Sequence, residues 1–490
     1  MKIISTLLAS SVLTVTANAS ETIPHIFSPS TPAKASEVNE NFDYINTRLN
    51  QLEEISSNSG VAVLELNIDC TDNPAALNEA YLQNRLKKDL SFFITGSCYG
   101  DINTPRVEGE SVTTVQSQVV AITGTDETAA LIDNNLTGSI NLWASFSGGL
   151  YLRDLTITTS GGIPVAFSRN SHGDISNVTI SKAEGDAYAG IYVQEGAQIY
   201  LGNVEVNGFD TGISGRNGAV IRATDDISIT ALNTGISLQS SVFRGFGNIN
   251  VNAPENAIHL DFNSSWRGWG TTLNVTQGTI SVNSGSAMVT DAINAPDSLL
   301  DVYHSTFNGN GASLSKVAAN GSTLTLSDSN ITGEVTSHQN AKVEIYNTPL
   351  TSVNVWLNSS FIFGGETLTY LSVHGGSRAH LGEASVENID SNMGSIVDLY
   401  KVNITGNVYI NSNSTMFANE SSFSNSAFLY TNDGGMSSLF GGTSIDEGQT
   451  ACYYGSLDIE NVDVNAFENG CLNSGGYQEM VEAFKNNRSN

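Results

Sequence analysis

Apolar residues at alternate positions recur along most of the chain at a nearly constant interval. Pairs of the form apolar-x-apolar begin at Leu155 and Ile157, and their second members are Ile157, Ile180, Val206, Ile229, Val251 and Val275. After a longer step to Phe307, the series resumes at Ile331 and continues to Val464 with somewhat shorter intervals. Alternation with a period of two is typical of β-strands, and a fixed interval over about fifteen units indicates a solenoid.

Among solenoids, the pattern favours a parallel β-helix. Leucine-rich repeats share the interval, but their L-x-x-L-x-L-x-x-N frame is missing, as are calcium-binding Gly-Gly-x-Gly-x-Asp nonapeptides. In a parallel β-helix, inward Val, Ile, Leu and Phe side chains form one continuous core, while Asn, Gly and Ser occupy the bends. We therefore predict an all-β chain with a parallel β-helix of about fifteen coils, the β-helix proper covering residues 111–450.

Both ends of this β-helix carry sequences that predict a cap, which an open-ended solenoid needs in order not to stack on its neighbours. Helix formers predict a helix over 73–88, with Ala75, Leu82 and Leu86 on one apolar stripe. This helix belongs to an N-terminal cap and first coil at 61–110. A second cap is predicted at 451–490, with a helix over 477–485.

The four cysteines form two local pairs, Cys70 with Cys98 and Cys452 with Cys471. The long stretch of chain between the pairs favours a disulfide within each pair in an exported protein. Metal binding is the alternative, but the pairs lack a Cys-x-x-Cys spacing and no His lies close to them in sequence.

The first sixty residues predict export and presentation rather than chemistry. Residues 1–19 read as a secretory signal, with Lys2, an apolar run too short to span a bilayer, and an Ala-Asn-Ala cleavage site. Residues 20–60 predict a tether and a helix over 36–56 whose apolar positions follow the alternating spacing of a coiled coil. This helix predicts an oligomer, with a homotrimer as the candidate; the alternative is a helix packed on its own domain.

Charge narrows the class of partner. The 490 residues include 49 acidic and 20 basic side chains, a formal net charge of −29, and only 14% are charged. Such a chain repels phosphate backbones and acidic membranes, so we expect no nucleic-acid partner. We also expect no membrane span.

The segment Phe92–Gly100, FFITGSCYG, follows the predicted N-terminal helix and ends in Gly-x-Cys-x-Gly. At this point the chain resembles secreted proteins of the pectin-lyase-like, right-handed parallel β-helix class. The resemblance implies right-handed coils, although the shorter coils late in the chain also fit a left-handed helix. It covers architecture only: Asp225-Asp226 is not followed by the Gly-His-Gly of polygalacturonase-like relatives, and Pro105-Arg106 reverses the Arg-before-Pro order of pectate-lyase-like relatives.

Residues one interval apart become neighbours on stacked strands, so outward positions form ladders. Ile191, Ile213, Ile236 and Ile258 recur at the interval of the early coils and should stack inward. If the protein is an enzyme, the outward neighbours of this column supply the catalytic group. His259 is then the base, Asp261 its orienting partner or a metal ligand, and Arg216 with Arg244 the groups that neutralise a substrate carboxylate.

A second ladder consists of Arg222, Arg244 and Arg267, which recur at the same interval. Two of these arginines sit in near-copies, FRGFG and WRGWG. Arg binds carboxylates or sulfates through paired hydrogen bonds, and sugar rings stack on aromatic faces. The alternative is that each Arg pairs with a nearby carboxylate of Asp225, Asp226 or Asp261. The candidate substrate-binding residues are Arg222, Arg244, Arg267, Phe243, Phe246, Trp266, Trp269 and Tyr192.

These observations lead to one expectation with two alternatives. We expect a secreted or cell-surface protein that binds or organises an acidic extracellular polysaccharide or surface glycan, with little or no catalysis and no cofactor. The first alternative is a lyase or hydrolase acting on a uronate-containing glycan, for which calcium is the candidate cofactor. The second is an adhesive or structural rod. The fold alone cannot choose among them.

Overall fold

The computed structural model describes residues 63–85, 89–103, 118–133, 141–183, 187–445, 449–453 and 455–459. Over this part of the chain, the backbone winds into a right-handed, parallel β-solenoid of about 16 turns. Every pairing between its strands is parallel, as in Leu64↔Leu90 at the start and Ser437↔Leu457 near the end. The predicted fold class and handedness are therefore confirmed.

The described part contains one helix, α1 at Ala76–Asn84, and a sheet of 37 strands. Strands β1 to β12 are Leu64–Asp69, Asp89–Thr95, Ser97–Tyr99, Asp101–Asn103, Val119–Gly124, Ala130–Ile132, Asn141–Ala144, Gly149–Thr159, Val165–Phe167, His172–Lys182, Ala189–Gln194 and Gln198–Arg216. Strands β13 to β24 are Val220–Ala223, Ile227–Gln239, Val242–Asp261, Ser265–Asn283, Ala287–Tyr303, Thr306–Asn310, Ala312–Asn320, Thr323–Ser327, Asn330–Ile331, Glu334–His338, Lys342–Tyr346 and Leu350–Val355. Strands β25 to β37 are Ser360–Gly364, Thr367–Val373, Arg378–Gly382, Ser385–Ser391, Ile396–Tyr400, Asn403–Ile404, Asn407–Ile410, Thr415–Asn419, Ser422–Phe423, Phe428–Asn432, Met436–Phe440, Thr450–Tyr453 and Ser456–Ile459.

The coils have three faces, and each face is defined by a column of inward side chains. Face A stacks Ile199, Ile221, Phe243 and Trp266; face B stacks Val204, Ile227, Ile249 and Leu273; face C stacks Ile191, Ile213, Ile236 and Ile258. Long strands such as β15 bend through all three faces in turn. These columns are buried and merge into one continuous hydrophobic core.

The predicted repeat is confirmed over its first stretch, because face B brings Leu155, Val178 and Val204 into register. The placement of Phe307 in that series is wrong. Phe307 pairs with Met288 and Leu324 on face A. Face B instead continues from Leu273 to Ile293 and from Ala295 through Leu314 to Ile331. The longer step to Phe307 therefore skipped one coil, whose inward residues include the small Ala295 with its weak hydrophobic signal, and took a face A residue from the next coil.

The late coils are shorter but keep the same three faces and hand. Phe361, Ala379 and Val397 succeed one another on face A. They lie closer together in the sequence than Ile199, Ile221 and Phe243 of the same face do. The solenoid is right-handed, so the left-handed alternative for these coils is wrong. The coils shorten because their strands are shorter: β15 has 20 residues, whereas β25 and β26 of a late coil have 5 and 7.

The corner from face C to face A is built in the same way in many coils. It holds residues with positive φ, such as Phe262 and Asn263 at 49° and 61°, or Leu357 and Asn358 at 54° and 61°. A buried Ser follows in many coils. The Ser241 N–H donates to Ser264 Oγ over 3.2 Å, and Ser264 N–H donates to Ser286 Oγ over 3.1 Å. This internal serine ladder satisfies backbone donors that the bend removes from the strand pairing.

The N-terminal cap pairs a helix with a disulfide. Helix α1 is shorter than the predicted 73–88, and the Cys70–Cys98 disulfide is confirmed, with Cα atoms 5.2 Å apart. The predicted apolar stripe is wrong: Leu77 and Tyr81 are buried against the first coils, whereas Leu82 is exposed. The side of this short helix that is buried depends on how the helix packs on the first coil. The hydrophobic pattern of the helix does not determine that packing.

Several predicted features lie outside the described residues. These are the signal at 1–19, the helix over 36–56 with its trimer, Cys471 and the helix over 477–485. Cys452 itself is disulfide-bonded. Within the described ranges, no helix has both the length and the apolar character needed to cross a bilayer.

We predict that removing a member of the serine ladder destabilises the solenoid. Ser264→Ala leaves the buried Ser241 N–H without an acceptor, which should lower the free energy of unfolding by about 1–3 kcal/mol in chemical denaturation. The matched control is Ser228→Ala, an outward, exposed serine on face B, where we expect a change of at most ~0.5 kcal/mol. Equal effects of the two variants would contradict a stabilising role for the ladder.

We also predict an alkaline transition at the N-terminal cap. Burial raises the pKa of Tyr81 to about 12, opposed by the nearby Arg85 charge. Because the folded pKa lies above the ordinary value, the stability from the neutral phenol is fully present below about pH 10 and is lost as pH rises through about 12. The tyrosinate absorbance of the wild type minus that of Tyr81→Phe should therefore titrate near pH 12. A difference curve centred near pH 10 would contradict the burial of this phenol.

Candidate functional site: the arginine ladder

The near-copies FRGFG and WRGWG follow strand alternation on face A. In β15 and β16, Arg244 pairs with Arg267 on the outside and Phe243 pairs with Trp266 on the inside. The rings of Phe243 and Trp266 are fully buried and stack 4.2 Å apart at 8°. The prediction that these two rings contact a ligand is therefore wrong. A period-two strand cannot present the aromatic residue and the next residue, Arg, on the same side.

The glycines of these copies serve the backbone. Gly245 points inward, where a Cβ would come within 2.9 Å of the Ile249 side chain. Gly247 has φ +93°, a conformation that disfavours side chains, and ends the face A segment. Phe246, the aromatic residue between the two glycines, lies two positions beyond the outward Arg244 and points outward by the same alternation. Phe246 is 46% exposed and its counterpart Trp269 is 53% exposed.

The three arginines lie in register on adjacent strands. Arg222 of β13 pairs with Arg244 of β15, which pairs with Arg267 of β16. Neighbouring strands lie about 4.8 Å apart, so this column places one guanidinium per coil along the solenoid axis. The predicted ladder is confirmed as an arrangement of outward side chains.

Tyr200 orients the first arginine of the column. It pairs with Arg222 across β12 and β13, and Arg222 Nη1 donates to the Tyr200 hydroxyl over 2.7 Å. The guanidinium also lies 5.2 Å from the centre of the tyrosine ring, within cation–π range. Arg222 is half-buried, and its Nε is buried without a hydrogen-bond partner.

Arg244 and Arg267 are exposed, and neither forms an ion pair with any residue in the described ranges. The three carboxylates of that alternative have other partners. Asp225 accepts from the Thr224 hydroxyl, Asp226 from the N–H and the side-chain amide of Asn248, and Asp261 from the Phe262 N–H. Farther along the chain, Asp291 accepts from the Gly270 N–H over 2.6 Å. The alternative in which each arginine pairs with a nearby Asp is therefore wrong for the described part of the chain.

We call this set the ladder surface: an outward patch of face A that combines cations with exposed aromatic rings. It consists of Tyr200, Arg222, Arg244, Phe246, Arg267 and Trp269. The column is bounded at both ends. Before Tyr200 comes Asp174, whose carboxylate lies 3.7 Å from Arg153 Nε, and after Arg267 comes Val289.

The predicted catalytic group divides between two faces. The column of Ile191, Ile213, Ile236 and Ile258 is confirmed on face C, with Tyr192, Ser214, Ser237 and His259 in register beside it. Arg216, Gln239 and Asp261 form the next outward column. Arg244 lies on face A, so it cannot join His259 in one cluster. A single strand, β15, carries both residues, but it turns two corners between them.

On face C, Arg216 and Asp261 form hydrogen bonds with groups other than His259. Arg216 donates to the Tyr188 hydroxyl and lies 5.9 Å from the Tyr192 ring centre. Burial raises the pKa of Tyr192, opposed by the charge of Arg216. Asp261 accepts from the Phe262 N–H over 3.0 Å, while His259 Nδ1 is buried without a hydrogen-bond partner. Asp261 does not orient His259, which removes the basis for a base-and-orienter pair.

Metal binding finds no support in the described residues, where no three His, Cys, Asp or Glu side chains are grouped to hold an ion. A cluster that the sequence pattern did not single out lies on face C. Trp356 stacks between His338 and His374, with ring centres 6.1 and 4.4 Å away. The signal was available, because the three residues follow one another at the interval of the late coils.

No protein-family model, no curated protein and no solved structure matches this chain.

We predict that fluorescence quenching separates the two tryptophans of WRGWG. Trp269→Phe should remove a large part of the acrylamide-quenchable emission, because this ring is 53% exposed, whereas Trp266→Phe should leave that part intact, because this ring is fully buried. Phe replaces Trp conservatively in a stack that already contains Phe243. Loss of quenchable emission in Trp266→Phe alone would contradict the register of face A.

Proposed function

We propose that this protein is a secreted, non-catalytic β-helix that binds an acidic extracellular polysaccharide or cell-surface glycan through the ladder surface. The observation that carries the proposal is a column of three arginines, none in an ion pair with a described carboxylate, in a chain of net charge −29. Like charges held side by side without counter-charges repel one another, and the attraction of an anionic ligand to each of them offsets that repulsion.

The rings beside the column favour a glycan over a small anion. Phe246 and Trp269 lie two positions beyond Arg244 and Arg267 on the same strands, so rings and guanidinium groups share one side of the sheet. Sugar rings pack on aromatic faces while Arg engages carboxylates or sulfates by paired hydrogen bonds. An open strip on a flat sheet suits an extended polymer, whereas small ligands favour concave sites.

Catalysis is not supported at this surface. Glycoside hydrolysis needs two carboxyl groups about 5–9.5 Å apart, and the nearby Asp226 and Asp291 accept backbone N–H bonds at the corner after face A. A lyase would need a base beside the cations, and His259 lies on face C. Likeness to pectin-lyase-like proteins remains a proposal at the level of architecture. Secretion is likewise a proposal, supported by the Cys70–Cys98 disulfide, which oxidising compartments favour.

Binding of a long acidic glycan should depend on the ladder. We predict that the double variant Arg244→Ala/Arg267→Ala weakens binding of polygalacturonate or heparin about 30-fold, corresponding to ~1 kcal/mol for each of two exposed charge pairs. Binding is measured by calorimetry at low salt, and affinity should fall as salt is added.

The control is Arg169→Ala/Arg378→Ala, which removes the same charge from two arginines already paired with Glu195 and Asp398. We expect it to bind within about twofold of the wild type. Equal weakening by both double variants would leave only a net-charge effect and would contradict the site. Absorbance of new unsaturated ends, should it appear on incubation with either polymer, would favour the lyase instead.

A further inference from the structure

We propose that the ligand of the ladder surface is a linear polyanion with one anionic group on every sugar, which runs parallel to the solenoid axis and places one sugar on each coil. This inference rests on the proposed function, and it adds the direction, the charge spacing and the length of the bound segment. The shared chemistry is a carboxylate or a sulfate ester once per sugar.

The direction follows from where the cations lie. Along the axis, Arg222, Arg244 and Arg267 succeed one another on adjacent strands. Along a strand, the next outward position after Arg244 is Phe246, and no second cation follows. A polyanion lying across the solenoid would therefore meet one guanidinium, whereas one lying along it meets three.

The spacing is fixed by the backbone. Parallel strands repeat about every 4.8 Å. Strands β15 and β16 keep the same register beyond the arginines, because Gly245 pairs with Gly268. One pyranose unit of an extended chain advances by about the same distance as one coil. A polymer with a charge on every sugar can therefore match all three arginines. A polymer in which acidic and neutral sugars alternate can match only Arg222 and Arg267.

The length follows from the ends of the column. On one side, Tyr200 uses its hydroxyl to hold Arg222, and the next outward residue is the carboxylate of Asp174. On the other side, Arg267 is followed by the uncharged Val289. Three charged sugars thus fill the column, and the exposed rings of Phe246 and Trp269 lie alongside two of them.

The first test is a length series measured by calorimetry with the whole protein. The probes are galacturonate oligomers of one to six units, oligosaccharides with one sulfate per sugar, and hyaluronan oligomers, in which acidic and neutral sugars alternate. We expect affinity to rise about fivefold per unit up to three units and then to level off, in the carboxylate series, the sulfate series or both. Hyaluronan oligomers of equal length should bind at least about fivefold more weakly.

The second test compares single variants. Arg244→Ala should weaken the three-unit oligomer about fivefold, as much as Arg267→Ala, whereas Arg378→Ala on the same face should have no effect. Arg244→Lys, which keeps the charge, should recover part of the loss. Circular dichroism confirms that each variant is folded.

The outcomes separate this inference from the proposed function. If long polymers bind but the affinity does not depend on length between one and three units, the one-sugar-per-coil register is wrong and the binding function stands. If Arg244→Ala is silent while Arg267→Ala is not, the charges match every second coil and the inference is overturned. If no acidic polymer binds, both fail.

Discussion

Parallel stacking of coil on coil is the interaction on which the rest of this molecule depends. Each strand forms backbone hydrogen bonds with the strand one coil before and one coil after, and each inward side chain packs on its equivalents in those coils. The core therefore extends along the whole solenoid, and every coil must supply an inward side chain that packs against those of the coil before and the coil after. An example is the column of Ile221, Phe243 and Trp266. Burial of this core provides the main favourable term in the free energy of folding.

The corners limit what each coil can contain. A bend takes backbone N–H groups out of the strand pairing, and buried serines such as Ser241, Ser264 and Ser286 return acceptors to them. Residues of positive φ, such as Asn263 and Asn358, turn the chain in the same place in successive coils. The abundance of Asn, Gly and Ser follows from these bends, and so does the low charge, since each coil has many uncharged positions to fill.

The same repetition gives the surface its chemical character. An outward residue is repeated one strand spacing away if the next coil carries the same type, so three arginines become a row without any loop or pocket to hold them. The stack of His338, Trp356 and His374 on face C arises in the same way from the interval of the late coils. On this fold, residues of one type that recur at the coil interval become neighbours in a row on the surface.

The alternation of Leu155 and Ile157 and its regular return were sufficient to determine strands, solenoid and core, because burial imposes a period of two along a strand and a constant interval between coils. The interval of Arg222, Arg244 and Arg267 was likewise sufficient to place them in one row. The same period of two places Phe243 and Trp266 on the side opposite the arginines that follow them, so assigning these two rings to the binding surface was wrong on the sequence pattern itself. The sequence could not locate the small inward residue Ala295, nor the side of helix α1 that meets the first coil.

Only the tertiary structure decided which distant residues share a face. Arg244 and His259 belong to one strand, yet two corners place them on different faces, because the hydrophobic pattern records that the chain repeats but not where within each coil it bends. The sequence determined the repeat and the residue types in it, whereas the folded coil decided on which face each residue lies.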